Sequence, residues 1–185
     1  MALTPSSMVS LGSTAPDFEL LNTIDEHKYS LTSLKGEKAT VVLFICNHCP
    51  YVVHIAGAIA SLAIEFQKLE VSFIAISSND ILALPEDSPE KMRLFAAKYG
   101  FTFPYLYDPT QSVARAYEAA CTPDIFVYDK DLKLKYRGQF DNSRPGNQLA
   151  PTGKDLREAL DIILKGEEPN KLQRPSIGCN IKWKD

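Results

Sequence analysis

The chain predicts an α/β fold in which a mixed β-sheet is covered by helices on both faces. Three observations carry that expectation. Two continuous β-branched and aromatic runs, Thr40–Ile45 and Val71–Ser77, read as strands buried on both faces, because a strand with one wet face alternates apolar with polar residues. Each run is followed by a helical stretch, so the first half of the chain alternates β-α-β-α. The second half changes to two strand signals flanking Asp129-Lys130-Asp131 and then a helix, which makes the late pair an antiparallel hairpin.

Ahead of the core, Phe18–Leu21 and Lys28–Leu31 read as short strands around Asn22–His27, an N-terminal strand extension, with a turn at Leu34–Lys38. The first core strand stops at Cys46-Asn47-His48-Cys49. From Pro50 to Leu69 apolar residues recur at three- and four-residue spacing, and a helix tolerates Pro50 early because its first amides have no intrahelical acceptor. After the second core strand a polar loop leads to a helix from Pro89 that stops near Gly100. Tyr105–Tyr107 reads as a short strand, Gln111–Tyr117 as a short helix, and Ile125–Tyr128 with Leu134–Gly138 as the hairpin. A polar loop, Asp141–Gly153, then precedes an amphipathic helix, Lys154–Leu164, and a Pro-containing tail that does not look like a regular element. One domain is expected over residues 1–185, with a core at about 13–166 and a loosely held tail at 167–185.

Composition narrows the function. A chain of 185 residues that is 45% hydrophobic buries roughly 70% of its unfolded surface, so its four cysteines are not needed as staples. A net charge of −3 and a pI near 5.7 give no footprint for nucleic acid or an anionic membrane. The longest apolar stretch, Val52–Ile64, is 13 residues, short of the ~20 that span a bilayer. The opening MALTPSSMVSLGSTAPDF lacks the basic and apolar regions of a signal peptide, and the cytoplasm is the expected compartment. No G-x-G-x-x-G, Walker loop or Ser elbow is present, and no cofactor is expected. In a reducing compartment a close cysteine pair points to redox chemistry or metal binding.

Cys46 and Cys49 lie where a buried strand turns into a helix, which places Cys46 by the unpaired amides and positive dipole end of that helix. The environment matters because a thiol of pKa about 8.5 is only about 3% ionised at pH 7, whereas such motifs fall to roughly 3.5–7.5. Cys46 is expected to attack a disulfide, and Cys49, one turn on, to resolve the mixed disulfide. A protonated His48 would further favour the thiolate.

These residues resemble the thioredoxin fold, and within it the alkyl hydroperoxide reductase/thiol-specific antioxidant group of redoxins, over roughly Ser13–Gly166. The shared features are APDFEL, VVLFICNHC, FIAISSND, FPYLYD, and Thr122-Pro123 followed by IFVYD, about 75 residues beyond the cysteines. The resemblance implies a three-layer α/β/α sandwich with a mixed central sheet. It also implies a cis Pro123 beside the pair, with the Thr122 backbone facing outward to pair with an extended substrate. Thr122, Pro123 and His48 are the implied substrate-binding residues. Two departures bear on the reaction. Thioredoxins keep a buried acid where this chain has Thr40, leaving His54, Glu118 and Asp124 as candidate proton acceptors. Peroxiredoxins place Thr or Ser, Pro and an activating Arg where this chain has Leu43, Ala39 and Pro123, so groups that would stabilise the oxyanion in peroxide cleavage are missing.

Thiol–disulfide oxidoreductase is therefore the expected activity, with a protein or small-molecule disulfide or thiol as substrate and a separate reductant. A thiol peroxidase and a non-catalytic thiol- or metal-binding module are the rivals, and the oligomeric state is open. Cys121, two residues before Pro123, reads as a small buried residue or a third redox thiol. Cys179 reads as an inert tail cysteine, or as a resolving thiol brought near Cys121 or Cys46 by a tail that Trp183 docks. No metal is expected: Cys46, Cys49, Cys121, His48 and His54 are soft ligands without a second metal-binding motif. His54 reads as a core histidine, Arg144 and Asn147 as loop residues, and Lys165–Lys171 as a solvated segment.

Overall fold

The two continuous apolar runs lie side by side as parallel neighbours at the centre of the molecule. They are β4 (Ala39–Phe44), in which every residue is buried, and β5 (Val71–Ser77). The computed structural model describes residues 3–184. Before β4 come β1 (Leu3–Pro5), β2 (Glu19–Asn22), β3 (Lys28–Ser30) and α1 (Leu31–Leu34). Between β4 and β5 runs α2 (Pro50–Gln67). After β5 come α3 (Pro89–Tyr99), β6 (Tyr105–Tyr107), α4 (Ser112–Ala116), β7 (Cys121–Thr122), β8 (Asp124–Asp129), β9 (Leu134–Arg137), α5 (Lys154–Leu164) and β10 (Ile177–Asn180).

Seven strands form one mixed sheet in the order β3-β2-β6-β5-β4-β8-β9, with β5 parallel to β4 and β6, and β8 antiparallel to β4 and β9. Alternate side chains of each central strand enter opposite layers, as the two-residue strand period requires. Val41, Leu43, Phe73, Ala75, Ile125 and Val127 pack with apolar residues of α2, α3 and α5. Val42, Phe44, Ile74, Ile76, Phe126 and Tyr128 pack with Leu31, Val113 and Ala114 from α1 and α4. The result is the expected three-layer α/β/α sandwich with an N-terminal strand extension.

Local chemistry sets the element ends. The strand expected over Lys28–Leu31 stops at Ser30, because Ser30 and Ser33 cap α1 reciprocally through their hydroxyls and backbone amides, each at 3.1 Å. Gly100 closes α3 in the left-handed conformation, φ 69°. Among the described residues, no helix is long and apolar enough to cross a membrane.

The tail departs from expectation. It folds back as β10, pairs antiparallel with β7 on one side and β1 on the other, and makes a separate three-stranded sheet, β1-β10-β7. Ile181, 1% exposed, packs in the core layer that holds α1 and α4. Gln111 receives Lys184 N–H and donates to the carbonyl of Lys182. Trp183, expected to dock the tail, is exposed, and the Arg115 guanidinium lies over its ring, 4.5 Å from the ring centroid.

The Asp141–Gly153 loop is held by one buried carboxylate. Asp141 accepts from the backbone amides of Ser143, Thr152 and Gly153 at 2.7, 2.6 and 2.8 Å. Burial pushes its pKa up, but these donors outweigh burial and hold it below the ordinary 3.8. A depressed carboxylate contributes stability above its unfolded pKa, and that contribution is lost as pH falls through the lower folded value. Asp141→Ala is expected to cost about 3 kcal/mol in urea unfolding at pH 7, because it strands buried amides. The difference from the parent should shrink as the pH is lowered below the ordinary 3.8.

Candidate active site

The turn between β4 and α2 carries the cysteine pair, and its geometry corrects one expectation. The helix begins at Pro50 and its N-cap is Cys49, not Cys46, and the Val52 and Val53 amides of the first turn donate to the Cys49 carbonyl at 3.0 and 2.9 Å. Cys46 sits three residues earlier in the loop, its Sγ 3.3 Å from Thr122 Oγ1. Cys49 Sγ lies 3.1 Å from the Thr122 carbonyl oxygen and 2.8 Å from Cys179 Sγ. All four cysteines are free thiols and buried.

Electrostatics separate the two. The Cys46 thiol hydrogen-bonds to Cys49 and, with help from Cys179, Thr122 and the Val52 amide, lowers the Cys49 pKa to about 5 against the opposing effect of burial. Cys46 moves well upward, because it donates to Cys49, is buried, and feels the Asp87 charge. Near neutral pH the pair therefore holds one proton and one negative charge.

The Thr122–Pro123 peptide is cis, as the resemblance implied. The Thr122 backbone is not free, however. β10 occupies that edge, pairing Cys179 with Thr122 and Asn180 with Cys121. The structure thus brings Cys46, Cys49, Thr122, Pro123 and Cys179 together. It corrects the expected neighbour of Cys179, which is Cys49. Cys121 Sγ instead faces the Pro123 carbonyl at 3.4 Å, and burial drives its pKa up.

Asp87, which sequence reasoning missed, holds the Asn47-His48 dipeptide. It is fully buried in a short 3-10 turn, Pro85–Asp87. One oxygen accepts from Asn47 N–H at 2.8 Å. The other lies 2.7 Å from His48 Nδ1 and accepts from Asn79 Nδ2 at 2.8 Å. The Tyr105 hydroxyl donates to Asn47 Oδ1 at 3.1 Å. The Asp87 hydrogen bond raises the His48 pKa, while Asp87 stays below the ordinary carboxylate value despite its burial. Cys46, His48 and Asp87 each place a ligand atom within 4.8 Å of the others. Nδ1 of His48 and both Asp87 oxygens are already engaged within the site, so this trio reads as a positioning network.

The remaining candidates lie elsewhere. Asp124 accepts from Ser6 Oγ at 2.6 Å and Ala120 N–H at 3.0 Å, and burial raises its pKa to about 6. Glu118 is exposed, and half-buried His54 has an unpartnered Nε2. Thr40 Oγ1 accepts from Gly36 N–H at 3.0 Å. Arg144 binds Gln139 Oε1 and two loop carbonyls, and Asn147 ties the same loop, so both are loop residues as expected. Arg144 also lines a shallow cavity with Tyr51, Pro123 and Ile177.

Asp87→Asn is expected to cost about 2–3 kcal/mol, because it removes one partner of a buried pair whose histidine is partly solvated. The parent's His48 contribution is fully present below the ordinary 6.5 and lost as pH rises through the raised value. Urea unfolding at several pH values, with NMR titration of His48, should show that dependence and a lower His48 midpoint in the variant.

Comparison with known proteins places this geometry. The family model described as AhpC/TSA family matches residues 11–137. Thiol-disulfide oxidoreductase ResA of Geobacillus thermodenitrificans (strain NG80-2) is 30% identical over 132 residues, 71% of this chain and 71% of that protein. A crystal structure of an uncharacterized conserved protein from Geobacillus kaustophilus matches with a TM-score of 0.97 at 51% identity, covering 100% of this chain and 97% of that one. At the level of fold alone, a thioredoxin-like protein from Aeropyrum pernix matches with a TM-score of 0.60 at 24% identity, covering 78% of this chain and 88% of that one. The sandwich is a thioredoxin fold, and the chain belongs to the AhpC/TSA family.

Proposed function

We propose that the protein is a thiol–disulfide oxidoreductase whose Cys46–Cys49 dithiol exchanges with an external disulfide. The observation that carries this reading is the cysteine pair at the strand-to-helix turn, with Cys46 Sγ set against the Thr122 hydroxyl, Cys49 Sγ against the Thr122 carbonyl, and cis Pro123 beside them. The ResA relative, named for the same chemistry, supports it.

The chemistry follows from the pair. Cys46 adjoins the half-buried His48 and attacks one substrate sulfur, passing its proton along the existing hydrogen bond to Cys49. The substrate's other sulfur leaves as a thiolate, which takes up the proton that Cys49 next releases. Cys49 then gives up its proton, attacks Cys46 of the mixed disulfide, and releases the reduced substrate with a Cys46–Cys49 disulfide left behind. Peroxide cleavage is less well served. Among the described residues, the neutral side chain from outside the pair that hydrogen-bonds Cys46 is Thr122, through Oγ1 at 3.3 Å, and the charge that acts on Cys46 from Asp87 is negative.

Cys49→Ser should accumulate a mixed disulfide with a model peptide disulfide, whereas Cys46→Ser should accumulate none. The reverse pattern would reassign the nucleophile. Thiolate ultraviolet absorbance should report one ionisation per chain with a midpoint near 5, the value to which Cys49 is lowered. A midpoint near the ordinary ~8.5 would remove the basis of the reading.

A further inference from the structure

The tail strand is held too firmly, and too close to the reacting sulfurs, to be a bystander. β10 is laddered on both edges, with Cys179 opposite Thr122 on one side and Leu3 on the other. Beyond it, Lys182 N–H donates to Asn79 Oδ1 at 2.8 Å and Ile181 is buried. Ahead of it, Ser6 N–H donates to the Ser176 carbonyl at 2.8 Å. Gly178 passes so close to the Thr122 backbone that an added Cβ would lie 2.0 Å from its carbonyl oxygen. Cys179 is thereby delivered to 2.8 Å from Cys49 Sγ, in the position of an extended segment added to the Thr122 edge.

We infer that Cys179 is a third catalytic thiol, which takes the disulfide from the Cys46–Cys49 pair onto the tail. This inference rests on the exchange reading above. Cys179 attacks the Cys49 sulfur of the Cys46–Cys49 disulfide. The bond between Cys49 and Cys179 forms as the bond between Cys46 and Cys49 breaks, and Cys46 leaves as a thiolate that takes up the proton Cys179 gave. No net oxidation occurs. Two electrons' worth of disulfide moves from the helix turn to the tail strand, Cys46 is free for another substrate, and an external dithiol later reduces Cys49–Cys179. Cys121 is not the acceptor, because its sulfur faces the Pro123 carbonyl.

The test is to equilibrate the full chain in graded dithiothreitol redox buffers, quench with acid, alkylate free thiols and map linked peptides by mass. The wild type should contain both Cys46–Cys49 and Cys49–Cys179 linkages across the transition. Cys46→Ser should close Cys49–Cys179 stoichiometrically. Gly178→Ala keeps every sulfur but cannot seat β10, and should form Cys49–Cys179 about 100-fold more slowly, the scale of a misplaced reacting group. Absence of the Cys49–Cys179 linkage in the wild type in every buffer would overturn the inference, whatever the variants do. So would two free thiols in Cys46→Ser under conditions where Cys179→Ser closes Cys46–Cys49. If Cys179→Ser forms no Cys46–Cys49 disulfide in any buffer, the dithiol reading itself fails and the transfer falls with it.

Discussion

Thr122 meets three parts of the site at once. Its hydroxyl faces Cys46, its carbonyl faces Cys49, and its backbone pairs with the strand that brings Cys179. This is possible because Pro123, which has no N–H to donate, separates β7 from β8. The two segments consequently join different sheets: β8 pairs with β4, whereas β7 pairs with the tail. A strand that continued smoothly through residue 123 would carry Thr122 into the central sheet and away from the sulfurs.

The second constraint is a buried charge. Asp87 is taken wholly out of water, and burial by itself would favour its neutral form. Asn47, His48 and Asn79 offset that cost by hydrogen bonding to its two oxygens. The same Asn79 accepts from the backbone of Lys182 in the tail. One asparagine in the loop after β5 thus joins the seat of the tail to the shape of the dipeptide between the cysteines. Neither can be rearranged without disturbing a buried carboxylate, which is expensive to leave unpaired.

The central strands were legible because burial on both faces demands uninterrupted apolar residues, and β4 and β5 have them. The cysteine pair, the hairpin and the loop-to-helix passage near Gly153 were legible for similarly local reasons. The helix start was also written in the sequence, since a proline at the first helical position makes the preceding residue the N-cap. Pro50 therefore marks Cys49, and not Cys46, as the N-cap. Asp87 carried no such mark. An aspartate in Pro-Glu-Asp-Ser looks like solvated loop, and only the parallel β4–β5 pairing brings that loop to the cysteine turn. β10 was equally hidden, because Ile177-Gly178-Cys179-Asn180 has no alternation of its own and becomes a strand only through the edges it bridges.

The tail also answers why two reactive thiols are buried. A strand tethered to its own site competes with any incoming segment at an effective concentration of order millimolar or higher. A weakly binding disulfide therefore cannot displace it by mass action alone. Were the tail merely a cover, it would reduce the enzyme's access to substrate and return nothing. With Cys179 set against Cys49, the covering strand is instead a reaction partner of the pair it hides. Its seating then has two consequences at once: it shields Cys49 from outside thiols while the tail is docked, and it holds a sulfur to which the pair can pass its disulfide without the tail leaving. Exclusion and transfer depend on the same two ladders, so the docked tail couples protection of the dithiol to its turnover.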